Sequence, residues 1–305
     1  MTDTRLIHTV GVRALEWLWA HRDGFRLELD VDPEVGFLQR FKPIGELAVI
    51  CGTLFREGVA GSHQTRMAHQ LLDHAWRETL DGGRMLVRGQ RTEPISPIPF
   101  EVYQPFKELG YLQPELERAI ALNHRLTSWA GAELTPTRRL GLCGTERRFG
   151  LPPRHPEDEV RRGTWLARTP EPWTVDWHFA YDITHAVFHM ADWGENLDGI
   201  PPAVADYLSA WLPAWIDDWL DLESWDLLGE LLAVDACLPQ PALDERAWTA
   251  FAAAQQPDGA MPAERTMPEG DRDEVFDMVY HPTLVAAYAS ALATSRCLAE
   301  LSRAS

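Results

Sequence analysis

Lysine is nearly missing from this 305-residue chain: only Lys42 and Lys107 occur, and the rest of its 28 basic residues are arginines. Against 46 Asp and Glu the formal charge is −18. So acidic a chain offers no general positive face for phosphates, which argues against nucleic acid or an anionic membrane as a partner. Cysteine is scarce as well. Cys51, Cys143, Cys237 and Cys297 are widely separated and include no C-x-x-C pair, so neither a disulfide framework nor a cysteine zinc site is expected. The longest apolar run, Leu47 to Phe55, falls well short of the roughly 20 residues that span a bilayer. The first residues carry Asp3 and scattered charges and do not read as a secretory signal, so the expected location is the cytoplasm. No G-x-G-x-x-G opens a helix, and phosphate-loop and G-x-S-x-G motifs are missing, so no nucleotide cofactor or serine nucleophile is expected. Strand-like alternation is confined to Phe25–Asp32, with Met85–Arg88 as its partner in a minor two-stranded sheet.

What remains is helical periodicity. It predicts helices over about 5–22, 36–56, 62–80, 100–109, 113–130, 174–193, 202–221, 223–238, 243–256 and 278–302, separated by Gly and Pro. The chain is therefore read as one all-α domain over 1–305. Helices that are apolar on every side must be buried on every side. Alternating with amphipathic ones, they suggest an α/α toroid or barrel of helical hairpins, with an irregular helical bundle as the alternative. Residues 131–172 are read as a long loop or lid, in which Arg138, Arg139, Arg147 and Arg148 suggest an anion clamp. Two segments look alike, Ile44–Leu54 and Leu228–Leu238, each with a Glu (Glu46, Glu230) near the start of an apolar helix. Trp211, Trp215 and Trp219 share a helical face and are assigned to the core or to packing between hairpins.

The most informative segment is Trp177 to Gly194. His178, Asp182, His185, His189 and Asp192 are spaced 4, 3, 4, 3 and fall within an arc of about 80° on one helix. No Lys, Arg, Glu or Gln interrupts them. The helix therefore reads as buried, with its polar stripe lining an internal cavity. Buried imidazoles and carboxylates must be paired, metal-bound or shifted in pKa. The plainer reading is a core network of His–Asp hydrogen bonds. The functional one has His185 as general base or first metal ligand, Asp192 or Asp182 orienting it, and Tyr181 and His281 as opposing acid or ligand groups. His185 and His189, at i and i+4, can share one zinc, iron or manganese ion. Asp192 lies about 10.5 Å along the helix from His185 and cannot join them, so a third ligand would come from His281 or Glu230.

Three further features bear on the site. Tyr280-His281 is read as opening the last helix, where backbone N–H groups favour anions. Asp226 and Glu230, at i and i+4, share a face of an apolar helix. Trp177 and Trp193 bracket the stripe as an aromatic wall. Tyr181-x-x-Thr184-His185, Asp192-Trp193-Gly194, Asp226-x-Leu228-x-Glu230-Leu-Leu232 and Tyr280-His281-x-Thr283-Leu-Val285 together resemble a poorly characterised family of bacterial all-helical proteins from specialised-metabolite clusters. That resemblance implies a biosynthetic role and one site formed by these segments. His178-x3-Asp182-x2-His185 separately resembles the third core helix of haem-oxygenase-like di-iron oxidases, which would imply further ligands at Glu117 and His124. The expected function is an enzyme of lyase, cyclase or hydrolase type. It would use acid–base or mononuclear-metal chemistry on a small metabolite or peptide, with substrate contacts from Glu230, Asp226, Tyr280, Trp177 and Trp193. The alternatives are the di-iron oxidase and a non-catalytic protein that binds a ligand or partner.

Overall fold

The structure, a computed structural model, describes residues 3–27 and 41–304. Among the described residues there are fourteen α-helices and no strand. Most of the segment Phe25–Asp32 lies outside the described residues, but Met85–Arg88 belongs to α4 (Arg84–Thr92) and is not a strand. Its buried positions Leu86, Val87, Gly89 and Gln90 follow helical spacing, and five hydrogen-bonding side chains in nine residues mask that period.

The chain divides into two compact units, and the division falls inside α2 (Lys42–Glu57) and α3 (Ser62–His74). The first unit comprises 1–24, 53–68 and 165–305. Its helices are α1 (Thr4–Ala20), α10 (Trp177–Met190), α11 (Pro202–Asp221), α12 (Trp225–Ala236), α13 (Glu245–Ala254) and α14 (Arg272–Ala304). α12 touches α10, α11, α13 and α14, and every residue from Leu227 to Ala236 is buried. An all-round apolar sequence thus becomes the axis of its unit. Gly229 is what allows the close approach: a Cβ there would stand 2.8 Å from Val285 and 2.9 Å from Phe251. α14 starts earlier than its apolar pattern, at a reciprocal cap. The Asp271 carboxylate accepts from the Asp273 and Glu274 amides, and Glu274 accepts from the Asp271 amide. His281 and Pro282 therefore lie inside a helix rather than at its N-terminus, so the expected anion-favouring position at His281 is overturned. Of the tryptophans on α11, Trp215 is buried and donates to Pro172 O at 3.1 Å, whereas Trp211 is exposed and not a core residue.

The second unit comprises 25–52 and 69–164. The stretch expected as a loop or lid, 131–172, holds α8 (Pro136–Phe149) and α9 (Glu157–Gly163). α8 starts on Thr135 and Pro136 and stops at Gly150, a start and stop that the density of arginine masked. Those arginines form no open clamp. Arg138 pairs with Glu101 at 2.6 Å, Arg148 with Glu108 at 3.0 Å and Arg147 with Glu157 at 3.4 Å, and Arg139 donates to the Ala132 carbonyl. The two look-alike segments also part company: Glu46 faces Lys42 at 3.5 Å on a half-buried surface of α2, whereas Glu230 is sealed inside α12.

All four cysteines are buried and unlinked. Burial pushes the Cys51 and Cys237 thiols up to about 12 and Cys143 to about 11. At pH 8 they are protonated and shielded. Ellman's reagent should therefore react with fewer than one thiol per folded chain within minutes, and with all four after denaturation. Prompt reaction of two or more in the folded protein would contradict this burial.

Candidate functional site

α10 starts on Asp176, whose carboxylate accepts from the Phe179 amide at 3.0 Å. Its first turn is open to solvent: the His178 side chain is 73% exposed and sits 3.8 Å from Asp182, and Trp177 is 59% exposed. This corrects the expectation that the whole stripe faces an enclosed cavity. Long charged side chains usually mark a solvated helix face; here His, Asp and Trp serve instead.

The arrangement changes one turn further along. Tyr181, Thr184 and His185 face α12 and α14, and two carboxylates receive them. The Tyr181 hydroxyl donates to Asp226 Oδ2 at 2.6 Å. The Thr184 hydroxyl donates to Glu230 Oε2. His185 Nδ1 lies 2.9 Å from Tyr181 O, 3.2 Å from Thr184 Oγ1 and 3.7 Å from Glu230 Oε2. From α14, His281 Nε2 approaches Glu230 Oε1 at 3.2 Å and Asp226 Oδ1 at 3.6 Å. Helical spacing explains the convergence: Asp226 and Glu230 stack one turn apart on α12, as Tyr181 and His185 do on α10. Tyr181, Asp226, Glu230, His185 and His281 were all candidates from the sequence. Thr184 sat in the same motif without a role, because a Thr in an apolar helix more often bonds its own backbone. Here that backbone acceptor is within reach as well, Tyr181 O at 3.0 Å, but it competes with Glu230 for the single hydroxyl proton.

The electrostatics follow from depth. Glu230 is 2% exposed, His281 23% at its side chain and His185 39%. Burial alone would push the Glu230 carboxyl up. The charge of His185, the hydrogen bond and charge of His281 and the Thr184 hydroxyl together outweigh it and hold the carboxyl below its ordinary 4.5. Burial, then the Asp226 and Glu230 charges, push the Tyr181 phenol far up, so it stays protonated and acts as a donor. The partners also assign the tautomers. Nδ1–H of His185 points at a carbonyl, leaving Nε2 as the basic nitrogen of the neutral ring, and Nε2–H of His281 points at Glu230, leaving Nδ1.

The remaining candidates lie around this cluster. Tyr280 stacks on Phe276 at 5.6 Å and meets His281 edge-on at 6.2 Å. His189 sits edge-on to Trp193 at 5.7 Å, and Trp193 stacks on Phe188 at 5.6 Å. Asp192 and Trp193 lie past the end of α10 with φ of 51° and 57°, a left-handed turn that Arg56 braces by donating to Trp193 O at 2.7 Å. Asp192 thus belongs to that turn and makes none of the contacts to Glu230 described above. Among the described residues no three His, Cys, Asp or Glu side chains group to hold a metal ion. Glu117 is bound to Tyr103 at 2.7 Å and Lys107 at 2.8 Å. His124 lies 3.3 Å from Glu146, which also accepts from the Trp129 indole at 3.0 Å.

Fold and cluster define an all-α protein carrying an imidazole–carboxylate site assembled from α10, α12 and α14. The chain belongs to the family described as Domain of unknown function (DUF6895), which matches residues 11–291. That span includes most of both units and extends well beyond the segments whose resemblance pointed to such a family. Neither a curated protein nor a solved structure shows significant similarity to the chain. Among the described residues, no helix is long and apolar enough to cross a membrane.

Proposed function

We propose that the protein is an enzyme that moves a proton on a small metabolite or peptide, in a cyclisation, elimination, isomerisation or hydrolysis. One observation carries this reading: a single buried carboxylate, Glu230, faces two partly exposed imidazoles, His185 at 3.7 Å and His281 at 3.2 Å. A buried anion stabilises the imidazolium that forms when either ring takes a proton. His185 accepts a substrate proton at Nε2, and its charge is balanced by Glu230. His281, when protonated, donates from Nδ1 while Nε2–H stays on Glu230. Tyr181 and Asp226 act as positioning residues at the edge of the pair. His185 Nε2 is also the atom through which a zinc, iron or manganese ion would be held, supplying Lewis acidity. The proposal extends to a cytoplasmic, biosynthetic setting, supported by the motif resemblance.

The test is untargeted. Purified protein is incubated with a metabolite extract of the producing cells and followed by mass spectrometry. Wild type should deplete at least one feature. His185→Ala and His281→Ala should each slow that depletion by about 100-fold or more, the usual share of a general acid or base, while circular dichroism stays native. If no feature separates wild type from His185→Ala, the enzymatic reading is wrong.

A further inference from the structure

Away from the Glu230 cluster, α14 packs along α1 and brings two hydroxyls one turn apart, Ser290 and Thr294, to the space beside that crossing. Ser290 is spent on α1. Its hydroxyl donates to the Ile7 carbonyl and accepts from the Gly11 amide at 3.0 Å, bridging one rung of the helix ladder. Gly11 permits this approach, because a Cβ there would stand 2.6 Å from Ser290 Oγ. Thr294 is left over. It is 4% exposed, and among the described residues its hydroxyl has no hydrogen-bond partner. Buried hydroxyls are rarely left so, since they lose water and gain nothing in return.

Thr294 lines a pocket of about 290 Å³ between α1, α14, the end of α2 and the start of α3, all within the first unit. Val12, Leu15, Leu54, Val59, Ala287 and Ala291 give it an apolar wall. The small side chains on α14 leave this space unfilled, and the half-buried His8 and Gln64 stand on its rim. Its volume is close to the roughly 300 Å³ at which small-molecule sites begin, and about twice the 150 Å³ cavity that admits benzene. Among the described residues, no side chain lining it carries a fixed charge. An ion would shed its water there without a counter-charge, so the chemistry of the wall selects against charged ligands.

We propose that this pocket binds a small uncharged molecule, a compact apolar body carrying one hydroxyl or carbonyl oxygen. The oxygen pairs with Thr294 Oγ1, which can donate or accept, and the apolar body lies against Leu15 and Leu54. None of the lining residues belongs to the Glu230 cluster, so the site is a second one and does not depend on the proton-transfer reading.

Fluorine NMR on the intact protein at neutral pH compares para-fluorophenol, its near-isostere para-fluorotoluene and the anion para-fluorobenzoate. The phenol should bind saturably at millimolar concentration or below, at least threefold more tightly than the toluene and at least tenfold more tightly than the benzoate. Thr294→Val keeps the shape and removes the hydroxyl. It should bring the phenol down to the affinity of the toluene, with a melting temperature equal to or above that of wild type. Ala60→Phe, in the loop between α2 and α3, should fill the mouth and block both neutral ligands, whereas His185→Ala should change neither. Absence of saturable phenol binding, equal binding of phenol and benzoate, or a phenol affinity unchanged in Thr294→Val or in Ala60→Phe would overturn the proposal. Loss of phenol binding in His185→Ala would overturn it too, by placing the phenol at the Glu230 cluster.

Discussion

Glu230→Ala is expected to lower stability by about 3–5 kcal/mol, the range for removing one partner of a buried ion-paired group. The side chain is sealed between α10 and α14, and both of its oxygens are engaged. Deleting it leaves the His281 Nε2–H without its acceptor, returns the Thr184 hydroxyl to the Tyr181 carbonyl alone, and opens a cavity among Leu-rich packing. For a chain of this size that is a fall of about 10 °C in melting temperature. Glu230→Gln keeps the shape and one acceptor, and should cost about 1–2 kcal/mol. The carboxyl is held below its ordinary value in the folded protein. Its contribution is therefore complete above about pH 4.5 and is lost as pH falls through the folded value. The Gln variant should lack this acid limb in a stability–pH profile from urea titrations. A wild-type profile that runs parallel to that of the Gln variant from neutral pH down through the acid range, with no limb of its own, would show that the charge on Glu230 is not what the imidazoles hold.

Gly259→Ala is the other large effect, from sterics alone. The turn after α13 docks on α1: Gln255 Nε2 donates to Val10 O at 3.0 Å and Gly259 O at 3.1 Å, and Arg13 donates to Gln256 O. Gly259 sits at φ +105°, and a Cβ there would stand 2.1 Å from the Arg13 carbonyl oxygen and 2.8 Å from its carbon. Those are backbone atoms of a packed helix and cannot swing aside. Positive-φ strain plus displacement of α1 should cost about 3–5 kcal/mol. Gly58→Ala separates the two causes. It shares a positive φ, +64°, but has nothing within 4 Å, so about 1–2 kcal/mol of conformational strain is all it should show. Equal losses at both positions in chemical denaturation would refute the docking contribution.

The helical class was legible because periodicity is local: α1, α11 and α12 lie within a few residues of their predicted spans. What failed, failed for identifiable reasons. α4 and α8 are masked by arginine and glycine; the arginines of α8 find Glu101, Glu108 and Glu157 on other helices, and Arg91 of α4 finds Glu115 on α6 (Pro114–Asn123). The start of α14 lay in a polar cap, outside any apolar pattern. In the stripe on α10, helical spacing groups His178, Asp182 and His185 and leaves Tyr181 off it, although Tyr181 stands one turn before His185 and shares its partners. Spacing does not say where along the stripe water begins, so His178 and Asp182 fall in with His185.

Residue order within each helix decided which groups share a face, because 3.6 residues per turn is set by the backbone and needs no neighbour. That rule already contained Asp226 above Glu230, Tyr181 above His185, and the burial of α12 from its unbroken apolar surface. Which faces meet is a different matter. Joining α10, α12 and α14 at Glu230 depends on side-chain volumes and on contacts between residues 45 and 51 positions apart. No local signal encodes such distances. The tertiary structure alone therefore turned Thr184 into a carboxylate partner and left Asp192 in a strained turn.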